Sequence, residues 1–199
     1  MVSEQLRSRN IRSETVLLTM RSVPRHLFVP EGLLKYAYKD SPLPIGLGQT
    51  ISQPYIVAYM SEQLQPFKGM RILEIGTGSG YQSAVLSCLG CEVYTIELLE
   101  ELANRAEKTF KKLNLSNIKI KCANGYFGWQ EEAPFNAIII TAAPEKIPEK
   151  LIEQLAEGGK MILPVGPANS VQYLKLIIKE DNKIIEKDLL PVRFVPMIE

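Results

Sequence analysis

Arg71-Ile-Leu-Glu-Ile-Gly-Thr-Gly-Ser-Gly-Tyr81 is the stretch whose reading decides the fold. Ile72, Leu73 and Ile75 read as a short buried strand, Gly76, Gly78 and Gly80 as a tight turn, and Tyr81 through Leu89 as a helix. Such a turn brings bare backbone close to a ligand at the carboxyl edge of a parallel sheet, over the first amides of the helix. The third glycine follows the second by two residues, where the dinucleotide fingerprint needs three, and Tyr81 takes that place. The spacing therefore points away from a pyrophosphate cofactor and toward S-adenosyl-L-methionine, which carries no phosphate. Any doubly wound fold can own a glycine turn, so the flanking chain has to support the reading.

Downstream, Gly90 ends the helix and Glu92 to Ile96 forms a second strand with Glu97 at its tip, 21 residues after Gly76. That offset suits a carboxylate accepting both hydroxyls of a ribose, with a solvated strand-end acid as the competing reading. The next helix buries Leu99, Leu102, Ala103, Ala106, Phe110 and Leu113, and sets Glu101 with Arg105 and Glu107 with Lys111 as outer i,i+4 pairs. Ile118, Ile120 and Cys122 alternate as a third strand, and Asn124 at its exit is the natural contact for an adenine edge. Tyr126 and Trp129 either shield the pocket or anchor a loop. Ala137 to Ile140 is a central parallel strand by its apolar composition, and Thr141-Ala-Ala-Pro144 leaves it over the reaction centre. Pro148 and Gly158 bracket one more helix, and Lys160 to Pro164 is a fifth strand. Beyond Gly166, one strand carries Gln172, Leu174, Leu176 and Ile178 on one face. Asp181-Asn182 turns it back into an antiparallel partner from Ile184. The apolar end, Leu190 to Pro196, packs along the edge.

Upstream, Ser13 caps a helix with Val16, Leu17, Met20 and Val23 on its apolar face, stopped by Pro24. His26, the single histidine, reads as a structural hydrogen-bonder, and a second helical piece spans Pro30 to Tyr38. In Asp40 to Tyr55 the prolines and glycines exclude a regular element, while the apolar residues between them exclude disorder. Ser52 is expected to cap the helix that follows, with Pro54 in its first turn. A capped helix start fed by a stiff loop can bind an oxyanion, or it can be an ordinary cap.

The chain has 199 residues, 46% of them apolar and 23% charged, with a formal net charge of +1. This fits one domain with an appendage and offers no basic field for nucleic acid or a membrane surface. Cys88, Cys91 and Cys122 lack metal-ligand spacing; the first two straddle a helix end as small hydrophobes, a redox pair being the alternative. With no signal peptide or membrane-length apolar run, the expected location is the cytoplasm.

Taken together, these segments resemble the protein-L-isoaspartate (D-aspartate) O-methyltransferases. The shared pieces are Val23-Pro-Arg with Phe28-Val-Pro30, Pro42-Leu-Pro-Ile-Gly46, Gly48-Gln-Thr-Ile-Ser-Gln-Pro54, Leu73 to Tyr81, Gly125-Tyr with Gly128-Trp129, Thr141-Ala-Ala-Pro144, Gly158-Gly159 and Phe194-Val-Pro196. The glycine motif is common to many methyltransferases, whereas Gly-Gln-Thr-Ile-Ser is close to diagnostic. The resemblance implies a doubly wound, mostly parallel seven-stranded α/β sheet of the Rossmann-like methyltransferase type, with an N-terminal helical extension and a C-terminal antiparallel pair. It implies one domain over 1–199: a helical and substrate-loop region at 1–68, a cofactor core at 69–166 and C-terminal strands at 167–199. The methyl donor is S-adenosyl-L-methionine. The acceptor is the free carboxylate of an isoaspartyl residue in an aged protein or peptide, whose ester collapses to a succinimide and so begins repair. Thr50 and Ser52 are placed at the reaction centre. Glu74, Gly76, Thr77, Gly78, Ser79, Glu97, Asn124 and Gly125 hold the cofactor, and Ile51, Gln53, Val192, Phe194 and Val195 line the peptide side. The family usually carries aspartate at the positions of Asn124 and Asn136, so weaker cofactor affinity is expected. A monomer without nucleic-acid partners or metal completes the expectation.

The reaction suits what the chain lacks. A carboxylate with a reference pKa of about 4 is already ionised at neutral pH, so the acceptor needs no general base, and positioning supplies most of the acceleration. The rival readings are a methyltransferase for a small molecule or RNA, against which residues 41–55 speak, and a silent S-adenosylmethionine-binding protein.

Overall fold

The computed structural model describes every residue except 169 and 182. In chain order the elements are α1 (Glu14–Ser22), β1 (Leu43–Gly46), β2 (Gln49–Ile51), α2 (Pro54–Leu64), β3 (Arg71–Ile75), α3 (Tyr81–Cys88), β4 (Glu92–Glu97), α4 (Glu100–Lys112), β5 (Ile118–Cys122), β6 (Phe135–Ile140), α5 (Glu149–Glu153), β7 (Leu155–Val165), β8 (Gln172–Glu180) and β9 (Lys183–Val192).

Seven strands form one sheet in the order β5-β4-β3-β6-β7-β8-β9, the first five parallel and the last two antiparallel. The chain winds outward from β3 through β4 to β5, then returns to place β6 on the other side of β3. The pair β3/β6 is therefore the topological switch, and its carboxyl end is where ligands bind in open α/β sheets. Both strands are buried on both faces, as their near-continuous apolar runs require. Helix α4 buries Leu102, Ala103, Ala106 and Phe110, and its outer ion pairs form at 3.9 Å (Glu101–Arg105) and 3.1 Å (Glu107–Lys111). The N-terminal segment packs Leu17, Met20 and Phe28 into the core around Tyr81, and Ser13 caps α1 by accepting from Val16 N–H.

Several expectations change. Asp40 to Tyr55 contains a regular element after all: β1 and β2 form an antiparallel hairpin with Leu43 opposite Ile51 and Pro44 opposite Thr50. The glycines serve its tip, where Gly46, Leu47 and Gly48 all have positive φ, and the register shift next to Pro44 absorbs the imino acid. The helix at 148–158 is shorter than its brackets, because β7 already begins at Leu155 and takes Gly158 and Gly159 into an irregular register against β6. Cys91 is buried, but Cys88 and Cys122 are exposed, so only one thiol packs as a hydrophobe. Burial pushes the Cys91 thiol up to about 12, which leaves it protonated and inert. His26 pairs its Nδ1 with Tyr38 Oη at 2.7 Å, the structural role expected of it. Of the Asp181-Asn182 turn, Asn182 lies outside the described residues.

Candidate active site

The glycine turn closes the carboxyl end of β3. Gly76, Gly78 and Gly80 have φ of 93°, 53° and 84°, conformations that disfavour side chains. A Cβ on Gly76 would stand 2.7 Å from Thr141 Oγ1, and one on Gly80 would stand 2.6 Å from the Phe110 ring. Thr141, the first residue beyond β6, ties the switch point together: its N–H donates to Ile75 O at 2.9 Å and its hydroxyl to Gly76 O at 2.6 Å.

Glu97 ends β4 beside this turn and is 6% exposed. Its Oε2 accepts from Gly78 N–H at 2.7 Å and its Oε1 from Leu99 N–H at 3.0 Å. Each carboxylate oxygen keeps a further lone pair, so the group can still accept two hydroxyls. Glu74 is fully buried in β3. One of its oxygens accepts from the Ser83 hydroxyl, and Oε1 has no partner among the described residues although Glu74 lines the cleft. Burial pushes the Glu74 carboxyl up to about 7; the hydroxyls of Ser83 and Thr95 oppose the rise and the charge of Glu97 adds to it.

Two cavities open on this edge. The first, a cleft, runs over the turn from Glu74 past Glu97, Leu98 and Leu99. The second, a groove, lies between the start of α2 and the Leu190–Val195 segment, with Arg9, Tyr55 and Phe194 in its walls. Four residues belong to both: Thr50, Ser52, Thr141 and Val195. The cavities therefore meet at two hydroxyls on the exit of the β1–β2 hairpin.

Ser52 does not cap α2. The capping position belongs to Gln53, whose side chain makes no cap bond, and the free amide of Tyr55 donates to Asp40 Oδ1 at 3.0 Å. Asp40 also accepts from Gln53 Nε2 and pairs with Arg9, each at 2.7 Å. The helix start expected to bind an oxyanion is thus filled by the chain's own carboxylate, and the Ser52 side chain is left at the junction.

The remaining expected residues divide. Gly76, Thr77, Gly78, Ser79 and Gly125 line the cleft, as does Ile51, which does not line the groove. Gln53, Val192, Phe194 and Val195 line the groove. Asn124 is not in the cleft wall; its Oδ1 accepts from Tyr126 N–H at 2.9 Å and caps the turn that carries Gly125. Asn136 accepts from Arg71 N–H at 2.9 Å at the amino end of β6, the far end of the sheet from the turn. Its exchange for aspartate therefore gives no reason for weak cofactor binding. Tyr126 and Trp129 anchor a loop: Tyr126 Oη donates to Met197 O at 3.3 Å, and Trp129 N–H donates to Gln154 at 2.8 Å.

The model of the family described as Protein-L-isoaspartate(D-aspartate) O-methyltransferase matches residues 1–199. The chain belongs to this family. A protein-L-isoaspartate O-methyltransferase of Opitutus terrae is 55% identical over 196 residues, covering 98% of this chain and 84% of that protein. A family member of the same name from Gloeobacter violaceus is 51% identical over 197 residues, covering 99% and 96%. Among solved structures, a protein-L-isoaspartate O-methyltransferase superposes with a TM-score of 0.88 at 30% identity; the match covers 96% of this chain and 62% of that longer one. A Plasmodium falciparum protein described as a member, in complex with S-adenosyl-L-homocysteine, gives a TM-score of 0.86 at 30% identity over 99% of this chain and 96% of its own.

Proposed function

We infer that the protein is an S-adenosyl-L-methionine-dependent protein carboxyl O-methyltransferase. It esterifies the free carboxylate of L-isoaspartyl residues in damaged proteins and peptides and so starts their repair through a succinimide. The observation that carries this reading is the meeting of the cleft over the glycine turn and an open groove at Thr50 and Ser52.

The cleft suits the donor chemically. S-adenosyl-L-methionine joins a cationic amino acid, a ribose diol and a flat base, and when bound it supplies a methyl group on a sulfonium. The unpartnered oxygen of Glu74 and the bare backbone of Gly76 to Ser79 answer the cationic end. Glu97 answers the diol, and Leu98 and Leu99 the base. Gly125 closes the cleft floor, with Asn124 acting through the turn it caps.

On the groove side the hydroxyls of Thr50 and Ser52 hold the acceptor carboxylate. They are neutral donors, and that matters: an arginine clamp would draw charge from an oxygen that has to act as the nucleophile. Thr141 cannot share the task, since its proton is spent on the carbonyl of Gly76. The acceptor is already ionised at neutral pH, so no residue here needs to move a proton. What the chain contributes is alignment of the two reactants across one short gap, where effective concentration gives most of the rate. Gln53, Val192, Phe194 and Val195 form the wall along which an extended peptide lies, with Ile51 supporting the junction from the cleft side.

The protein works as a monomer in the cytoplasm on isoaspartyl proteins, without nucleic-acid partners; among the described residues no helix is long and apolar enough to cross a membrane. Its one domain divides at 68 and 166. The test is methyl transfer from labelled donor to an isoaspartyl peptide and to its aspartyl twin. The reading requires label on the isoaspartyl peptide alone, released as methanol by mild base. Base-stable label, or equal labelling of both peptides, overturns it.

A further inference from the structure

The Leu190–Met197 segment walls both cavities; besides the bond from Tyr126 Oη to Met197 O, two separate anchors hold its main chain. At its far end, Val195 and Met197 bracket Ala143: Ala143 N–H donates to Val195 O and Met197 N–H to Ala143 O, both at 2.8 Å. At its near end the main chain leaves the sheet after Val192, the last residue of β9, which pairs with Gln172 of β8. The Gln172 side chain follows it out. Gln172 is fully buried, its Nε2 donates to Phe194 O at 3.1 Å, and its Oε1 accepts from Phe194 N–H at 2.6 Å. The carboxamide reproduces one further rung of a β ladder where the backbone of β8 can no longer reach.

Few side chains can do this. Both bonds come from one planar group that donates and accepts at once; an ionised carboxylate only accepts, and lysine or arginine only donates. Without the clamp, the N–H and C=O of Phe194 lose their partners and the residue is free to turn. The two anchors act at different points of the wall, the Ala143 anchor beginning at Val195, which lines both cavities. Ala143 holds Val195 to Met197, which reach the cleft, whereas Phe194 lines the groove and not the cleft.

We propose that Gln172 is a positioning residue for the isoaspartyl peptide: it fixes Phe194 as a wall of the groove while leaving the cofactor cleft to the Ala143 anchor. This rests on the function proposed above, and the two fail differently. If the wild-type protein does not methylate isoaspartyl peptide, the functional reading falls; the proposal for Gln172 is tested by the ratio between variant and wild type.

The experiment uses the full chain with Gln172→Met, which keeps length and removes both bonds, and Gln172→Glu, which keeps the acceptor and loses the donor. Peptide KM and kcat are measured at saturating S-adenosyl-L-methionine, and the affinity and stoichiometry of S-adenosyl-L-homocysteine are measured by calorimetry on the same samples. The proposal expects KM for the peptide to rise about fivefold or more in both variants. Turnover at saturating peptide and S-adenosyl-L-homocysteine affinity should stay within about twofold. An unchanged KM in folded variants overturns it. So does a joint loss of peptide and cofactor binding, or failure of both variants to fold, because Gln172 would then be supporting the fold as a whole.

Discussion

Replacing Glu74 by glutamine separates the demands of the fold from those of the ligand. Glu74 is fully buried, one oxygen is satisfied by Ser83 and the other has no partner among the described residues. Its carboxyl is pushed up to about 7 from an ordinary value of 4.5, chiefly by burial. A folded-state value above the unfolded one means that the native protein holds the proton more tightly. Below 4.5 both states are protonated and burial of this group carries no charge penalty. As pH rises through the interval to 7 the unfolded chain ionises first, and above 7 the full penalty is present. At 1.36 kcal/mol per pH unit, that penalty is about 3 kcal/mol. Glutamine keeps an acceptor for Ser83 and cannot ionise. Urea unfolding of the ligand-free proteins at pH 5, where a little of the penalty is already present, and at pH 8 should therefore show Glu74→Gln gaining on wild type by about 2–3 kcal/mol between the two conditions, since other titrating groups cancel in the comparison. The same variant should bind S-adenosyl-L-methionine more weakly, because the unpartnered oxygen that costs stability is the one proposed to meet the cationic end of the donor. Parallel stability curves for the two proteins, or unchanged cofactor affinity, would refute the reasoning.

Glu97→Gln retains one of the two acceptors that serve Gly78 and Leu99 and loses the charge facing the ribose site. Calorimetry should show cofactor binding weakened by roughly 1–2 kcal/mol, and an unchanged affinity removes Glu97 from the site. Asn124→Asp keeps the oxygen that caps Tyr126 and adds charge outside the cleft wall. Cofactor affinity should stay within about twofold, and a tenfold gain would put the side chain against the adenine instead.

The core was legible because its signals are local. The strand at 71–75, the glycine turn, Glu97 at the tip of β4 and the amphipathic face of α4 each follow from spacing within one element. So does the central apolar run of β6. The hairpin at β1–β2 was hidden because proline and glycine weigh against strands, and nothing local shows that Pro44 falls at a register shift. The cap of α2 is hidden for a related reason. Ser52 stands at a plausible distance in sequence, but the free amide is taken by Asp40, reached only through the intervening loop. Gln172 gave no signal at all: a glutamine on the inner face of β8, one strand in from the sheet edge, looks like a patterning fault until Phe194 folds back over it. Leu98 and Leu99 had a faint signal, two apolar residues directly beyond a strand-end acid.

The central claim is that transfer happens where cleft and groove meet, and Ser52→Ala tests it most directly. Because Asp40 and not Ser52 serves the amide of Tyr55, the substitution should change stability by less than about 0.5 kcal/mol. Turnover on an isoaspartyl peptide at saturating cofactor should nonetheless fall about tenfold or more, a loss of roughly 1.4 kcal/mol in transition-state stabilisation, with S-adenosyl-L-methionine affinity within about twofold. Initial rates against peptide concentration, normalised to folded protein, decide the matter. A selective loss of turnover places the acceptor at Ser52; wild-type rates per folded molecule would move the reaction centre elsewhere.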